Sequence, residues 1–187
     1  MSVNNARFGI DRYLLPDLYL GPQFDIGEVA KALEKSSEIR YRKCASVSTE
    51  AADLICQGKA ILWFQGRMEF GPRALGARSI LALPNSLEIR DQLNLRQKKR
   101  SWYQPYCPVM LKRDAHELLE NYRGEPNPFM TCAYRTRHEK RHLIQGVIGI
   151  DGTCRPQVLE EDGDSPYHLL LHAVRQRTGI GVLLNTS

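Results

Sequence analysis

An apolar run, Ala60-Ile61-Leu62-Trp63-Phe64, opens directly into Gly66-Arg67-Met68-Glu69-Phe70-Gly71-Pro72-Arg73-Ala74-Leu75-Gly76-Ala77-Arg78-Ser79. That juncture constrains the fold more than any other part of the chain. An apolar segment stopped by Gly-rich turn chemistry reads as a buried strand feeding a loop. The fourteen positions from Gly66 hold three glycines, one proline and three arginines. Glycine lets backbone approach a ligand closely, and guanidinium forks match phosphate or carboxylate oxygens. Arg73 and Arg78 stand five apart, and Ser79 adds a hydroxyl beside Arg78. The combination describes an anion site, for phosphate above all. The bland alternative is that Arg67 and Glu69 merely pair across a turn.

The chain has 187 residues, enough for one domain with a sizeable core. Apolar and charged fractions of 42% and 25% fall in the ordinary globular range, which argues against disorder. No apolar run approaches membrane-spanning length, and residues 1–7 lack the apolar core of a signal peptide, so a cytoplasmic location is expected. Five widely spaced cysteines without a Cys-x-x-Cys pair fit neither a disulfide framework nor a zinc ribbon. A net charge of +5 calls for a polyanionic partner, either nucleic acid or a phosphorylated small molecule. The excess is concentrated in residues 96–100 and 134–142.

Helical spacing predicts helices over 25–35, with Asp25 as its cap, over 48–57 from Ser48, over 87–95 with Leu87, Ile89 and Leu93 inward, over 114–122, and over 167–178 stopped by Gly179. Strands are expected at 60–64, 79–83, 106–111, 147–150 and 180–184. Pro108 places the third of these at a sheet edge. Helices and strands alternate without a clean repeat, which predicts a mixed α/β sheet. Residues 11–24 read as an entry segment.

Three other stretches carry candidate chemistry. Lys98-Lys99-Arg100 followed by Trp102, Tyr103 and Tyr106 sets cations beside aromatics, suited to a triphosphate or to single-stranded nucleic acid. Read on its own terms it is first of all a solvated helix end followed by a Pro-stiffened core strand. Asp151-Gly152-Thr153-Cys154-Arg155 presents Thr153 and Arg155 from a turn. Asn185-Thr186-Ser187 lies at the carboxyl end of a strand, where α/β sheets place ligands. His138-Glu139-Lys140-Arg141-His142 matches the zinc-protease pattern His-Glu-x-x-His. Its cationic flanks suit a basic loop better than Zn²⁺, and no protein-bound zinc is expected.

The Gly66–Ser79 stretch resembles the signature of the O-carbamoyltransferase family of antibiotic and nodulation-factor biosynthesis, approximately Gly-Arg-Met-Glu-Phe-Gly-Pro-Arg-Ala-Leu-Gly-Asn-Arg-Ser, and departs from it only at Ala77. Further blocks are similar in the same order: Tyr19-Leu20-Gly21-Pro22, Lys98-x-Arg100 with Tyr103-Gln104-Pro105-Tyr106-Cys107-Pro108, Asp151-Gly152-Thr153-Cys154-Arg155, and Leu184-Asn185-Thr186-Ser187. The likeness covers residues 19–187 and leaves 1–18 as a linker or entry segment. It implies the family's C-terminal domain, of YrdC/Sua5-like fold: a twisted open mixed sheet flanked by helices, with a basic central cavity.

The resemblance further implies that such a domain joins carbamoyl phosphate to ATP, giving carbamoyl-adenylate and pyrophosphate, with Mg²⁺ accompanying ATP. A separate Kae1/TsaD-like N-terminal domain, missing from this chain, then passes the carbamoyl group to a hydroxyl. Carried over residue by residue, Lys98, Arg73, Arg155 and Ser187 form the catalytic core. Arg67, Arg78, Ser79, Arg100, Thr153, Asn185 and Thr186 bind ATP or carbamoyl phosphate. Gln104 stands where the family has Arg, Gly149 where a His often stands, Ser101 for Glu and Cys107 for Ala. The family's Phe-Asn and a final helix would follow Ser187, so a truncated domain of weakened activity is expected. An RNA-binding module of the same fold is the second reading, since the chain is basic.

Overall fold

Period-two alternation decides where the core sits. In a strand, successive side chains point to opposite faces, so neighbouring residues can feed two separate cores. The computed structural model describes residues 15–187, so most of the expected 1–18 linker lies outside the described residues. In chain order the elements are α1 (Ile26–Glu34), α2 (Val47–Cys56), β1 (Ile61–Phe64), β2 (Arg78–Ala82), α3 (Leu87–Gln92), β3 (Cys107–Leu111), α4 (Lys112–Leu118), β4 (Tyr134–Arg135), β5 (Thr153–Cys154), β6 (Gln157–Leu159), α5 (Pro166–Thr178) and β7 (Val182–Thr186). Five strands form an open sheet in the order β1-β2-β7-β3-β6, and β4 pairs with β5. Among the described residues only β3 and β6 run parallel; β1/β2, β2/β7 and β3/β7 are antiparallel. The mixed open α/β sheet is the architecture that the alternating pattern predicts.

Leu81, Val109, Leu111 and Leu183 face one core, shared with Ala52 and Ile55 of α2 and Leu170, Leu171 and Val174 of α5. Ala82, Met110, Val158, Val182 and Leu184 face the other, with Leu93, Leu118, Ile144 and Val147. Each fully buried Leu or Val contributes about 1.5–3 kcal/mol relative to exposure. Asp25 caps α1 reciprocally with Glu28, as its sequence predicts. Gly179 ends α5 with φ +85°, and Ser165 caps its start ahead of Pro166.

Several expectations are corrected. Ser46, not Ser48, caps α2; Ser48 is buried and its hydroxyl donates to Pro166 O at 2.8 Å, tying α2 to α5. Helix α3 is regular only to Gln92 and continues as a π-helical turn, Leu93–Gln97; Leu93 is buried, whereas Leu87 stays exposed. Helix α4 ends at Leu118, because Leu119 turns extended, bridges to Thr136 and buries in the core together with Tyr122. Residues 147–150 form no strand. Gly146 N donates to Pro84 O at 2.7 Å, and its backbone packs so tightly there that a 3₁₀ turn, Gln145–Val147, results. The unforeseen strand β6 follows β5 instead.

Strand β3 is interior, between β7 and β6, despite Pro108. Leu111 N donates to Gly181 O on the β7 side, so by alternation the Pro108 nitrogen faces the β6 side. Pairing with β6 begins only at Val109↔Gln157, so no ladder bond is lost. The basic cluster at 138–142 lies on a 3₁₀ helix, His138–Leu143, where residues four apart do not share a face. Among the described residues, no helix is long and apolar enough to cross a membrane.

Candidate functional site

The register explains why distant motifs meet. Cys107 opposes Asn185, and Ile80 opposes Thr186, so the carboxyl end of β7 lies between the starts of β3 and β2. The segment before β3 carries Lys98 and Arg100, and the loop before β2 carries Arg73. A cavity of about 140 Å³ opens at this end of the sheet, with Arg73, Lys98, Arg100, Asn185, Thr186 and Ser187 in its wall. Among the described residues no acidic side chain lines it; the remainder is Pro72, Ala74, Pro105, Tyr106, Cys107 and Met130. The family resemblance implies a basic central cavity; this basic cavity lies at the end of the sheet.

The three cations are held differently. Arg73 makes no hydrogen bond or ion pair among the described residues and is exposed. Lys98 is half-buried, and burial followed by the Arg100 charge pushes its ammonium below the usual lysine value. Arg100 donates from Nε to Asn94 Oδ1 at 2.7 Å and lies over the Tyr106 ring, 4.4 Å from its centroid. One Arg100 terminal nitrogen is buried without a partner. Asn94 is fully buried and also donates to Trp102 O and Gln104 O, which shapes the turn that presents Lys98 and Arg100. A phosphate oxygen placed here meets the guanidinium of Arg73 and the ammonium of Lys98, neither of which has a hydrogen-bond partner among the described residues.

Arg155 and Thr153 border this cavity without lining it. They lie in an adjacent space of about 210 Å³, joined to the first through Pro105, Tyr106 and Cys107. Arg155 also meets Arg73 in a third, more apolar space of about 410 Å³ that includes Phe70, Phe129 and Met130. The Thr153 hydroxyl is engaged by Asp151 Oδ1 at 2.8 Å, and hydrogen bonds from Thr153 hold the Asp151 carboxyl below its ordinary range.

The other three candidate residues of the signature loop bond to the protein's own backbone. Arg78 donates to Gln65 O and Ala77 O, each at 2.8 Å, and to Gly66 O, while lying 3.5 Å over the Phe64 ring. Arg67 donates to Leu20 O at 3.0 Å and Gly21 O at 3.1 Å. Ser79 is buried and accepts from Gly76 N at 3.1 Å. None of the three lines the cavity. Nor does Arg67 pair with Glu69, whose Oε1 accepts from Leu75 N, Ala77 N and Arg78 N.

Sequence reasoning missed Glu69, Asn94, Gln157 and the two tyrosines that brace the loop. Tyr19 OH donates to Leu75 O at 2.8 Å, Gln157 Nε2 donates to the same carbonyl, and Asn185 Nδ2 donates to Ala74 O and to Tyr167 OH. Gly76, at φ +99°, lies flat on Tyr167: an added Cβ would sit 2.2 Å from a ring carbon. Burial, then the Glu69 charge, raises the Tyr19 phenol, and burial raises Tyr167 well above its ordinary range.

Residues 52–187 match the family model described as Carbamoyltransferase C-terminus. The nodulation protein NolNO of Sinorhizobium fredii is 40% identical over all of this chain and 28% of its own length. The nodulation protein NolO of Bradyrhizobium diazoefficiens is 40% identical over 94% of this chain and 33% of its own length. An uncharacterized protein of Methanocaldococcus jannaschii is 39% identical over 97% of this chain and 31% of its own length. The chain thus spans about a third of the curated relatives it matches. A loop, a basic turn and a strand end that meet at one cavity are all within or beside the matched region, and the chain belongs to the carbamoyltransferase family, as its C-terminal part.

Proposed function

We propose that this chain binds ATP and carbamoyl phosphate and forms carbamoyl-adenylate, which a Kae1/TsaD-like N-terminal domain uses to carbamoylate a hydroxyl. The observation that carries this reading is the gathering of Arg73, Lys98 and Arg100, with no acidic side chain among them, around the end of β7. Two polyanions repel strongly at close range, and fixed cations offset that repulsion while stabilising charge that shifts between phosphorus oxygens.

The chemistry balances with one water. Carbamoyl phosphate gives up inorganic phosphate to water, and the resulting carbamate oxygen attacks the α-phosphorus of ATP. Pyrophosphate leaves with the electron pair of the broken P–O bond. Arg73 and Lys98 hold the leaving pyrophosphate, Arg155 neutralises the second substrate, and Ser187 with Thr186 offers hydroxyl donors. Arg100 and Asn185 shape that wall. Mg²⁺ enters as part of ATP–Mg²⁺: with no acidic side chain on the cavity wall among the described residues, phosphate oxygens supply most of its ligands. Arg67, Arg78 and Ser79 serve this site by fixing the loop on which Arg73 stands, which refines the direct phosphate contact first expected of them.

Titration calorimetry with ATP–Mg²⁺, alone and with carbamoyl phosphate, tests the reading. Saturable binding that Arg73→Ala weakens strongly, with phosphate and pyrophosphate released when both ligands are present, is the expected result. A folded protein that binds neither ligand overturns it.

A further inference from the structure

We propose that Glu69 is the positioning residue of the cavity, setting the path of the Pro72–Arg78 loop and therefore the place of Arg73. The part of this inference that concerns ligand rests on the function proposed above; the part that concerns the loop does not.

Glu69 is 7% exposed and forms no ion pair among the described residues. A buried carboxylate without a cation is costly unless backbone donors compensate it. Here they do. Oε1 alone accepts from Leu75 N at 2.7 Å, Ala77 N at 3.2 Å and Arg78 N at 3.3 Å. The opposite edge of the same segment is gripped through its carbonyls: Asn185 takes Ala74 O, while Tyr19 and Gln157 take Leu75 O. Residues 74–78 are therefore held by amides on one side and carbonyls on the other. Arg73 is the residue immediately before the gripped segment, and its guanidinium stays free of protein partners among the described residues. Asn185 belongs to both systems, since it also lines the cavity.

The second carboxylate oxygen shows what matters about this group. Oε2 is buried without a partner, so only one oxygen is used, and it is used as a multiple acceptor. Reach and acceptor geometry do the holding, and charge is secondary. Glu69→Gln keeps an oxygen at the same reach; Glu69→Asp keeps the charge and retracts the oxygen by one methylene.

The test compares the 187-residue chain with these two variants, first without ligand. Amide hydrogen exchange is expected to speed up about tenfold or more at Leu75, Ala77 and Arg78 in Glu69→Asp, while core amides such as Val109 and Leu183 hold their rates. Glu69→Gln is expected to track the wild type. In the ligand arm, Glu69→Asp weakens ATP–Mg²⁺ binding about tenfold and Glu69→Gln less than about threefold. The proposal is overturned if Glu69→Gln is the damaging change, because charge would then be the feature in use. It is equally overturned if Glu69→Asp loosens every amide alike, which marks an ordinary core residue. If the wild type binds no ATP–Mg²⁺, the functional reading falls, and the exchange result still decides the role of Glu69.

Discussion

Arg73 and Arg78 come from one loop, five residues apart, and the fold uses them in opposite ways. Arg78 is surrounded by the carbonyls of residues 65, 66 and 77 and stacked on Phe64; its charge holds backbone in place. Arg73 has no such acceptors among the described residues and stands on the cavity wall. Residue type is identical, and so is the local richness in glycine. The difference is the number of backbone acceptors within reach of each guanidinium. A five-donor group beside several unsatisfied carbonyls closes on them, because orphaned carbonyls are costly when partly buried. Around Arg73 the carbonyls of Ala74 and Leu75 are already taken by Asn185, Tyr19 and Gln157, and its guanidinium stays without a partner among the described residues.

The sharpest way to break this contrast is to remove each arginine in turn. Arg78→Ala loses several charge-assisted hydrogen bonds and a cation–π contact, and a stability loss of about 2–3 kcal/mol is expected from urea denaturation. Arg73→Ala is expected to leave the urea midpoint unchanged within about 0.5 kcal/mol, as surface truncations do. Its effect falls on binding instead, with ATP–Mg²⁺ affinity down about thirtyfold, or ~2 kcal/mol. If Arg73→Ala destabilises as much as Arg78→Ala, the two do not differ in kind and the contrast fails.

Much of the sheet was legible because period and punctuation agree: the capping box at Asp25 and Glu28, the Gly179 stop and the apolar runs at β1, β2 and β7 all lie close to where the sequence puts them. The failures share one cause. Ending α4 at Leu118, placing Pro108 inside the sheet and turning 147–150 away from a strand each depend on a long-range partner, respectively Thr136, the late start of β6, and Pro84. At the site, the sequence marks which residue types gather; Arg73, Lys98, Arg100 and residues 185–187 do meet at one cavity. It does not mark which cations are spent on the backbone, because the acceptors for Arg67 lie at Leu20 and Gly21, over forty positions away. Asn94 was invisible for the same reason: its work is done on carbonyls at 102 and 104, across a turn whose course only the structure supplies.

Asp114 and Arg175 form a third case, a charge spent on another charge. Asp114 is fully buried, paired with Arg175, and accepts from Gly181 N at 3.0 Å. Burial nevertheless dominates and raises its carboxyl from 3.8 to about 6, with the Arg175 charge opposing. The folded protein therefore holds this proton more tightly than the unfolded chain. The group's contribution is fully present below pH 3.8 and is lost as pH rises through about 6. In urea titrations, wild-type stability relative to Asp114→Asn is expected to fall across that window, at up to about 1.4 kcal/mol per pH unit. A difference between the two proteins that rises with pH across that window would mean that the Arg175 pairing outweighs burial, and a constant one that the two cancel.

The smallest expected effect probes the free cations themselves. Lys98 sits beside Arg100, and its ammonium is lowered by burial and by that neighbouring charge. A cation that serves a bound anion loses its value once deprotonated, whereas the phosphates of ATP are already ionised above neutral pH. Affinity for ATP–Mg²⁺ is thus expected to hold near neutrality and to decline by a few-fold at alkaline pH, before ordinary lysines titrate. Arg100→Ala weakens binding overall, yet it removes one of the two influences that lower Lys98. The alkaline decline should therefore move to higher pH in that variant, even as affinity drops. Calorimetric titrations from about pH 7 to 10 read both quantities separately. A decline that stays at the same pH would show that Arg100 does not govern Lys98, and that the two cations act on a ligand independently rather than as one crowded pair.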